Sequence, residues 1–471
     1  KAEAALASLL DSPLLQKGCV LERSRALLVS IMGDADVSLA DIQCLMQRLK
    51  KAAPAALQIG MGVSVNPKWQ DRLALMVLVA EPQAAEAAAP TAGPAPAPAP
   101  AGAAERVPEP ARQPAASVAT ATAPGVRVIA TGLAHPWAVA ILPGDAGFLV
   151  TERPGRLRRI APNGTVSAPL AGVPAVFAQG QGGLLDVVLD PGFADNRRIW
   201  LSFAEPGEDG TAGTAVATAT LGEDALSDVQ VLYRQVPKLA GSAHFGSRIA
   251  FDGKGHVFIS QGERNQKAMA QDLDVLQGKL VRLNLDGTMP ADNPWAGSPG
   301  VRRVVWSYGH RNMQGLAVDP RSGRLWQSEH GPRGGDELNL PEPGKNYGWP
   351  VISNGMDYAT GRPYPETRGR EAPGMEQPYH AWEQSPGLSG MAFLTGHPDS
   401  PWNDSLFLGA LAQQALIRLQ LDGDRIVGEE RLLADRGERI RDVRVAPDGT
   451  VYVLTDADNG RLLALTPPTG G

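Results

Sequence analysis

The stretch from Tyr308 to Trp349 concentrates charged and turn-forming residues beside short apolar runs. It contains an Arg-Asn pair, a Glu-His-Gly-Pro turn, an Asp-Glu pair and an aromatic-Gly turn. Polar groups next to a core are costly unless they are paired or used. We therefore expect this stretch to form the rim of a binding site.

Other stretches carry residue types suited to proton transfer and anion binding. His244 lies in the glycine-flanked loop AHFGSR just before an expected strand, and an unperturbed imidazole pKa of about 6.5 suits a general base. Arg439 and Arg441 stand two residues apart on an expected strand, so they point to the same side and could bind a planar carboxylate together. Gln181 lies between two glycines, which indicates close backbone approach to another group.

The elements that must position these residues fall into three parts. Residues 1–82 are rich in Leu, Ala and Val, and residues 83–123 form an Ala/Pro-rich linker that includes PAPAPAPAG. Such a linker buries too little apolar surface to offset its ordering entropy, so we expect it to be extended. In residues 124–471, short strands recur between Gly, Asp, Asn and Pro turns. Turns that recur about every ten residues, with short strands between them, predict an all-β domain.

A repeated pattern within the third part predicts a propeller. In 142–164, 251–263, 318–331 and 445–467 a turn containing Gly and Asp or Pro precedes a strand that ends in a polar residue. Recurrence at several dozen residues is typical of propeller blades. We expect six four-stranded blades, with Glu152, Glu263, Glu329 and Thr455/Asp456 at one mouth of the channel.

The first part predicts a small α+β sandwich. Strands are expected at 25–33, 55–65 and 72–80, and the apolar spacing in LADIQCLMQRLKK (39–51) predicts a helix. The segments SPLL (12–15), RALLVSIMG (25–33), DVSLADI (36–42) and GMGVSV (60–65) resemble the C-terminal domain of FtsZ, the tubulin-like cell-division GTPase. The nucleotide-binding half of that family is absent from this sequence, so the resemblance implies an assembly module and possible oligomerisation.

Nearly the whole third part resembles the soluble aldose (glucose/sorbosone-type) dehydrogenases that use pyrroloquinoline quinone (PQQ) and calcium on a six-bladed β-propeller. The resemblance rests on GQGGLLDVVLDPGF (180–193), AHFGSRIAFD (243–252), GHRNMQGLA (309–317), SEHGPRGGDELN (328–339) and RIRDVRVAPDGTVYVLTD (439–456). It implies an oxidoreductase that oxidises aldoses to lactones and passes electrons to an external acceptor. It also implies a periplasmic or secreted location, whereas FtsZ-like domains belong to the cytoplasm.

The resemblance assigns roles to individual residues. His244 would take the proton of the anomeric hydroxyl, and Arg311 would stabilise charge on the quinone. The cofactor contacts that it implies are Gln181, Asn312, Arg439, Arg441 and a ring stacked on Trp382. The calcium ligands that it implies are the backbone oxygens of Gly331 and Pro332 beside the quinone, and those of Glu337 and Tyr347 at a further site.

Two positions depart from the family. Ala412 stands near the position where some relatives carry a lysine that holds the cofactor, and Ala243 precedes His244 where some relatives carry Asp. Both departures bear on cofactor affinity and substrate preference.

The same residues also admit plainer interpretations. His244 could be an ordinary loop histidine, and Arg439 and Arg441 could pair on the surface with Glu438 and Asp442. The remaining alternatives are a plain turn at Gly331-Pro332, a solvated corner at Asp336-Glu337, a turn brace at His310 and inter-blade packing at Trp382.

Two rival functions remain open: a calcium-dependent propeller lactonase, and a non-catalytic propeller that binds sugars or a partner. A net charge of −6 argues against nucleic acid as a partner, and no apolar run is long enough to cross a bilayer. Cys19 and Cys44 are the only cysteines. They are too few for a disulfide framework or a four-cysteine zinc site.

Overall fold

The structure is a computed structural model that describes residues 26–33, 58–65, 73–80 and 124–468. The chain divides into two compact units, Lys1–Glu109 and Pro110–Gly471. The predicted linker, residues 83–123, lies outside the described residues. Within the described ranges, no helix has the length and apolar character needed to cross a bilayer.

In the first unit the structure describes one sheet of three strands, β1 (Ala26–Gly33), β2 (Gln58–Val65) and β3 (Leu73–Ala80). The central strand β1 is parallel to β2 and antiparallel to β3. The three predicted strands are thereby confirmed. The helix predicted over 39–51 lies outside the described residues.

The second unit consists almost entirely of strands. In chain order they are β4 (Gly125–Leu133), β5 (Pro136–Ile141), β6 (Phe148–Glu152), β7 (Arg156–Ile160), β8 (Leu184–Leu189), β9 (Arg198–Pro206), β10 (Ala212–Leu221), β11 (Leu226–Arg234), β12 (Gly246–Phe251), β13 (His256–Gln261), β14 (Lys279–Asn284), β15 (Val305–Tyr308), β16 (Met313–Val318), β17 (Leu325–Glu329), β18 (Asp336–Asn339), β19 (His380–Trp382), β20 (Leu388–Leu394), β21 (Ser405–Ala410), β22 (Ala415–Asp422), β23 (Arg425–Leu432), β24 (Ile440–Val445), β25 (Val451–Thr455) and β26 (Gly460–Thr466). The described helices are α1 (Phe193–Asn196) and the 3-10 turns Glu208–Gly210, Lys267–Ala270, Gly300–Val304 and Ala434–Arg436.

These strands form six antiparallel sheets arranged in a ring, which confirms the six-bladed propeller. The innermost strands contact one another in the order β5, β8, β12, β16, β20 and β24, and β24 returns to β5. The sixth blade is completed by β4, whose Gly125 pairs with Thr466 at the end of β26. The ring is therefore closed by strands from both ends of the unit.

The first blade has three strands, β5 to β7, where four were expected. After β7 the chain makes two isolated bridges, one between Ile160 and Val166 and one between Ala171 and Ala225. The segment APLAGVPAVF (168–177) that follows contains two prolines. Proline cannot donate a ladder hydrogen bond and interrupts strands, which explains the missing fourth strand.

Burial follows each strand's position in its blade. An inner strand such as β21 is buried along its whole length. The outermost strand of the same blade, β23, contains buried, half-buried and exposed residues. Strands that pack on both faces become continuous apolar runs, and those with one wet face alternate. The apolar core accordingly lies between the blades.

Four charged residues, of which three are buried and Arg444 is half-buried, join the innermost strands across the channel. Arg248 on β12 contacts Asp186 at 3.4 Å and Asp442 at 2.8 Å. Arg444 contacts the same two carboxylates at 2.9 and 3.2 Å. The guanidinium of Arg248 also lies 4.0 Å from the Trp137 ring centroid. This group, the channel cluster, ties blades 1, 2, 3 and 6 together.

The start of each innermost strand lies at one end of the ring. His244 precedes β12 by two residues, Arg311 precedes β16 by two, and Arg439 immediately precedes β24. Strand-end residues such as Glu263 and Asp456 return to the same end, because the second strand of each blade runs antiparallel to the first. Residues distant in sequence therefore meet at one mouth.

Candidate active site

A cavity of about 430 Å³ opens at this mouth, within the size range of small-molecule sites. Its lining includes Trp137, Arg153, Gln181, His244, Arg311, Gln314, His330, Gly331, Asp336, Tyr358, Ala412, Arg439 and Arg441. Among the described residues, Asp336 is the only acidic side chain in this lining. Its carboxylate accepts hydrogen bonds from the backbone of Gly331, Gly387 and Leu388. Because four arginines and only this one carboxylate of the described residues line it, the cavity is strongly cationic.

The His244 imidazole is paired with a buried carboxylate. Its Nδ1 lies 2.6 Å from Oε2 of Glu263, whose side chain is 1% exposed. Because a carboxylate only accepts, Nδ1 carries the proton and Nε2 is the atom left to act as a base. A carboxylate in this position fixes the tautomer and stabilises the imidazolium. The arrangement fits a general base better than an ordinary loop histidine.

The backbone around His244 is held in an uncommon conformation. His244 has φ +55°, a left-handed value that non-glycine residues adopt only where neighbours enforce it. A Cβ at Gly262 would lie 2.0 Å from the His244 carbonyl oxygen, so only glycine fits there. Arg264 donates to the carbonyls of Ala243 and Gly241 at 2.8 and 2.5 Å. Arg264 and Gly262 therefore position the base.

Gln181 lies beside this loop. Its Oε1 accepts a 2.8 Å hydrogen bond from the His244 backbone, and its own N–H donates to Ser242 at 2.7 Å. The side-chain nitrogen Nε2 of Gln181 has no partner among the described residues and remains available at the cavity. Gln181 thus serves the loop as well as the cavity wall.

Arg439 and Arg441 share one carboxylate. Their Nη2 atoms lie 3.2 and 2.8 Å from Oδ2 of Asp456. Although burial alone would raise the pKa of Asp456, Arg441 and Arg439 hold it well below its usual range. The alternative pairing with Glu438 and Asp442 is wrong, since those carboxylates contact other arginines.

Among the described residues that line the cavity, two buried guanidinium nitrogens have no hydrogen-bond partner, Nε of Arg311 and Nε of Arg441. The Nη1 of Arg311 donates to the His330 carbonyl at 3.1 Å, and its guanidinium lies 5.3 Å from the Trp349 ring centroid. An unpaired buried charged donor is costly. These two atoms therefore point to an anionic or carbonyl-bearing ligand.

Asn312 is not among the residues that line the cavity. It is buried and lies behind the cavity lining: its Oδ1 accepts from Gly246 N at 3.1 Å, and its Nδ2 donates to Nδ1 of His330 at 3.4 Å. Both ends of the amide make a hydrogen bond within the protein. Because the amide nitrogen has a second N–H, the direct cofactor contact of Asn312 stays a prediction. Burial lowers the pKa of His330 to about 4, so this imidazole is neutral near pH 7.

Trp382 requires a correction. Its indole is buried in the core formed with Trp326 and Leu338, and Nε1 donates to the Glu429 carboxylate at 3.2 Å. The ring lies 4.3 Å from the His380 centroid. Trp382 is therefore an inter-blade packing residue, and it is not among the residues that line the cavity.

All four residues predicted to bind calcium line one small void. This void of about 10 Å³ lies beside the main cavity and is lined by Gly331, Pro332, Glu337 and Tyr347, together with Glu329. A volume of this order holds a single water or ion. The described residues contain no group of three or more His, Cys, Asp or Glu side chains arranged for a metal, so backbone oxygens would have to supply much of the coordination.

The two carboxylates at this void interact unfavourably. Burial and the neighbouring Glu329 carboxylate together raise the pKa of Glu337 to about 8. Asn339 and Asn354 donate to Glu337 at 3.4 and 3.2 Å. A divalent cation would relieve the repulsion, so the donor set fits a calcium ion. The solvated corner considered for Asp336-Glu337 is wrong, because Asp336 is 1% exposed.

His310 braces the turn, in agreement with the plainer interpretation. Nδ1 contacts Glu329 at 3.0 Å, Nε2 contacts Ser307 at 2.9 Å, and the ring stacks 4.8 Å from Tyr347. It is fully buried, so it supports the void and does not face substrate.

Sequence reasoning missed several residues of the site. Glu263 was expected at the mouth, but not as the partner of a histidine 19 positions away. Gln314 accepts from Arg441 Nη1 at 3.0 Å and donates to the Gly246 carbonyl at 3.1 Å. Its place in the sequence could have indicated this role, since Gln314 lies near the start of the innermost strand β16. Ala412 does line the cavity, so no cation stands at that position.

Comparison with known proteins agrees with this geometry. The family model described as glucose/sorbosone dehydrogenase matches residues 133–464. The aldose sugar dehydrogenase YliI of Escherichia coli K12 is 52% identical over 344 residues, which cover 73% of this chain and 92% of that protein.

Two solved structures share the fold. A glucose dehydrogenase crystal structure is 57% identical, with a TM-score of 0.71 and coverage of 72% of this chain and 99% of the other. The PQQ-bound aldose sugar dehydrogenase of Streptomyces coelicolor is 30% identical, with a TM-score of 0.61 and coverage of 75% and 99%. The chain belongs to the glucose/sorbosone dehydrogenase family.

Proposed function

We propose that this protein is a PQQ-dependent aldose dehydrogenase that oxidises the anomeric carbon of sugars to lactones and passes electrons to an external acceptor. The observation that carries the proposal is the His244–Glu263 pair facing the same cavity as four arginines. Family membership and the PQQ-bound relative support it.

The cavity residues suit a planar, tricarboxylated quinone. Arg439 and Arg441 would hold carboxylates, since guanidinium forks match carboxylate geometry. Arg311 would contact the quinone oxygens, and Gln181 would add a hydrogen bond through its free amide nitrogen. The unpartnered Nε atoms of Arg311 and Arg441 support this fit. When bound, the quinone supplies the acceptor for the hydride of the anomeric carbon.

His244 moves the proton. Its Nε2 accepts the proton of the anomeric hydroxyl, and the Glu263 carboxylate stabilises the imidazolium that results. Arg311 orients the substrate and stabilises negative charge at its end of the cavity. A positioned base contributes about 10²- to 10⁴-fold to the rate, so His244 is the residue with the largest assigned catalytic effect.

Calcium would be held by the oxygens around the small void. Gly331 lines both this void and the main cavity, and Pro332, Glu337 and Tyr347 line the rest of the void. Oxygen ligands from carbonyls and carboxylates are those that calcium takes. When bound, the ion supplies Lewis-acid polarisation and offsets the repulsion between Glu337 and Glu329.

Calcium is expected to raise the melting temperature of the wild-type protein by several degrees over the value in chelator. Ligand binding at about 100 times Kd stabilises by about 2.7 kcal/mol. Glu337→Gln should lose most of this rise. Glu376→Gln should retain it, since Glu376 is a half-buried residue paired with Lys345 and does not line the void. Calorimetry with and without calcium measures both. Equal stabilisation of wild type and Glu337→Gln would contradict this site.

The geometry favours the dehydrogenase over the propeller lactonase. A lactonase would need free carboxylates around a metal at the channel centre. The central carboxylates, Asp186 and Asp442, are instead paired with Arg248 and Arg444. The arginines of the cavity would also have no function in that reaction. A lactone hydrolysis assay without quinone distinguishes the two.

We propose a periplasmic or secreted location, where the quinone is available. We also propose an assembly role for the first unit, because its sequence resembles the C-terminal domain of FtsZ. The β2-β1-β3 sheet is compatible with a small α+β module. Sedimentation of the full chain over a range of concentrations measures self-association. A monomer at every concentration would contradict the assembly role.

The test of the enzyme is an absorbance titration of purified apoprotein with PQQ, with and without calcium. We expect saturable binding that calcium strengthens, followed by aldose-dependent dye reduction. Intact protein that binds quinone without any aldose-dependent reduction would favour the non-catalytic propeller. Protein that binds no quinone would overturn the proposal.

A further inference from the structure

Arg153 is a guanidinium in the cavity wall that has no assigned role. It lies in the turn after β6 and lines the cavity with Arg439 and Arg441. Within residues 124–468 its side chain makes no hydrogen bond or ion pair. The neighbouring arginines of the same hairpin behave differently: Arg156 and Arg158 contact the buried Glu152 at 2.5 and 3.3 Å.

The backbone of Arg153 is fixed on both sides. Its N–H donates to the His135 carbonyl at 3.0 Å, and its carbonyl accepts from Leu184 N at 3.1 Å. Gly183, with φ +140°, makes room for its stem, because a Cβ there would lie 2.6 Å from Arg153 Cγ and 2.0 Å from its carbonyl oxygen. The side chain is thus placed by the fold.

These contacts put Arg153 beside the arginine pair. His135 Nδ1 contacts Asp456 at 3.0 Å, and Asp456 also holds Arg439 and Arg441. Because Asp456 carries one negative charge, it neutralises about half of the pair. Arg153 adds an unneutralised positive charge beside the pair Arg439 and Arg441, on the side of the cavity where Gln181 lies.

We propose that Arg153 binds a carboxylate of the planar tricarboxylated quinone, as a third arginine of the cofactor grip. Blade 5 presents the methyl group of Ala412 to the cavity and no cation. Blade 1 presents Arg153 on the opposite flank of the arginine pair. The cation that holds the third carboxylate therefore comes from blade 1 in this protein. This inference rests on the proposed function.

The test measures quinone affinity without any sugar. Apoprotein is titrated with PQQ, and binding is followed by tryptophan fluorescence, since Trp137 and Trp349 lie at the cavity and beside Arg311. Loss of a hydrogen bond between charged groups should raise Kd by about 10- to 100-fold in Arg153→Ala. Arg153→Lys should lose less, and Arg156→Ala should match wild type.

The trimethyl ester of the quinone is the matched probe. It keeps the rings and removes the negative charges, so Arg153→Ala and wild type should bind it equally. If Arg153→Ala binds PQQ with wild-type affinity, or loses affinity equally for PQQ and ester, the inference is overturned while the proposed function stands. If wild type binds no PQQ, both are overturned.

Discussion

Replacement of His244 by alanine is expected to lower kcat for aldose oxidation by about 10²- to 10⁴-fold, while the quinone titration still saturates. The reason is the loss of the imidazole that would accept the anomeric proton with a buried carboxylate, Glu263, behind it. Steady-state dye reduction with fully loaded enzyme measures the effect. Added imidazole should restore part of the rate.

The control for this experiment is His256→Ala. His256 also pairs with a carboxylate, Asp252 at 2.7 Å, but it begins β13 at the far end of the same hairpin. It should retain wild-type kcat. A His244→Ala enzyme with wild-type turnover would remove the proton-transfer role, and equal losses in both variants would point to a disturbed blade.

Arg248→Met is expected to destabilise the propeller by about 3–5 kcal/mol, since removing one partner of a buried ion pair leaves uncompensated charge. Arg248 is 1% exposed and contacts both Asp186 and Asp442. Denaturant unfolding followed by tryptophan fluorescence measures the loss. The double variant Arg248→Met/Asp442→Leu should lose less than the sum of the single variants.

An exposed ion pair supplies the comparison. Arg425 contacts Asp422 with side chains that are 65% and 67% exposed, and such pairs contribute about 0–1 kcal/mol. Arg425→Ala should therefore barely shift the unfolding curve. A similarly small shift for Arg248→Met would show that the channel cluster is dispensable.

Short sequence patterns predicted the turns and strands of the propeller. Turns with Gly and Asp or Pro and alternating strands indicated six sheets, since turn preference and side-chain alternation act over a few residues. The proline-containing segment after β7 gave a signal that was overlooked. Closure by β4 could not be predicted in this way, because its partner β26 lies more than 300 residues away.

The candidate site was predictable as residue types and not as contacts. His244, Arg439 and Arg441 were found because their motifs combine charge with strand starts. Trp382 was misassigned because a three-residue strand does not reveal which face of an aromatic ring is buried. For Asn312 the sequence did not show that its amide also holds the backbone of the preceding blade at Gly246.

The strand β4 has a consequence for the order in which the enzyme is made. During synthesis β4 leaves the ribosome before every other strand of the propeller and stays unpaired until β26 follows. The same final segment carries Arg439, Arg441 and Asp456. Completion of the last blade and assembly of the arginine pair on Asp456 are therefore one event.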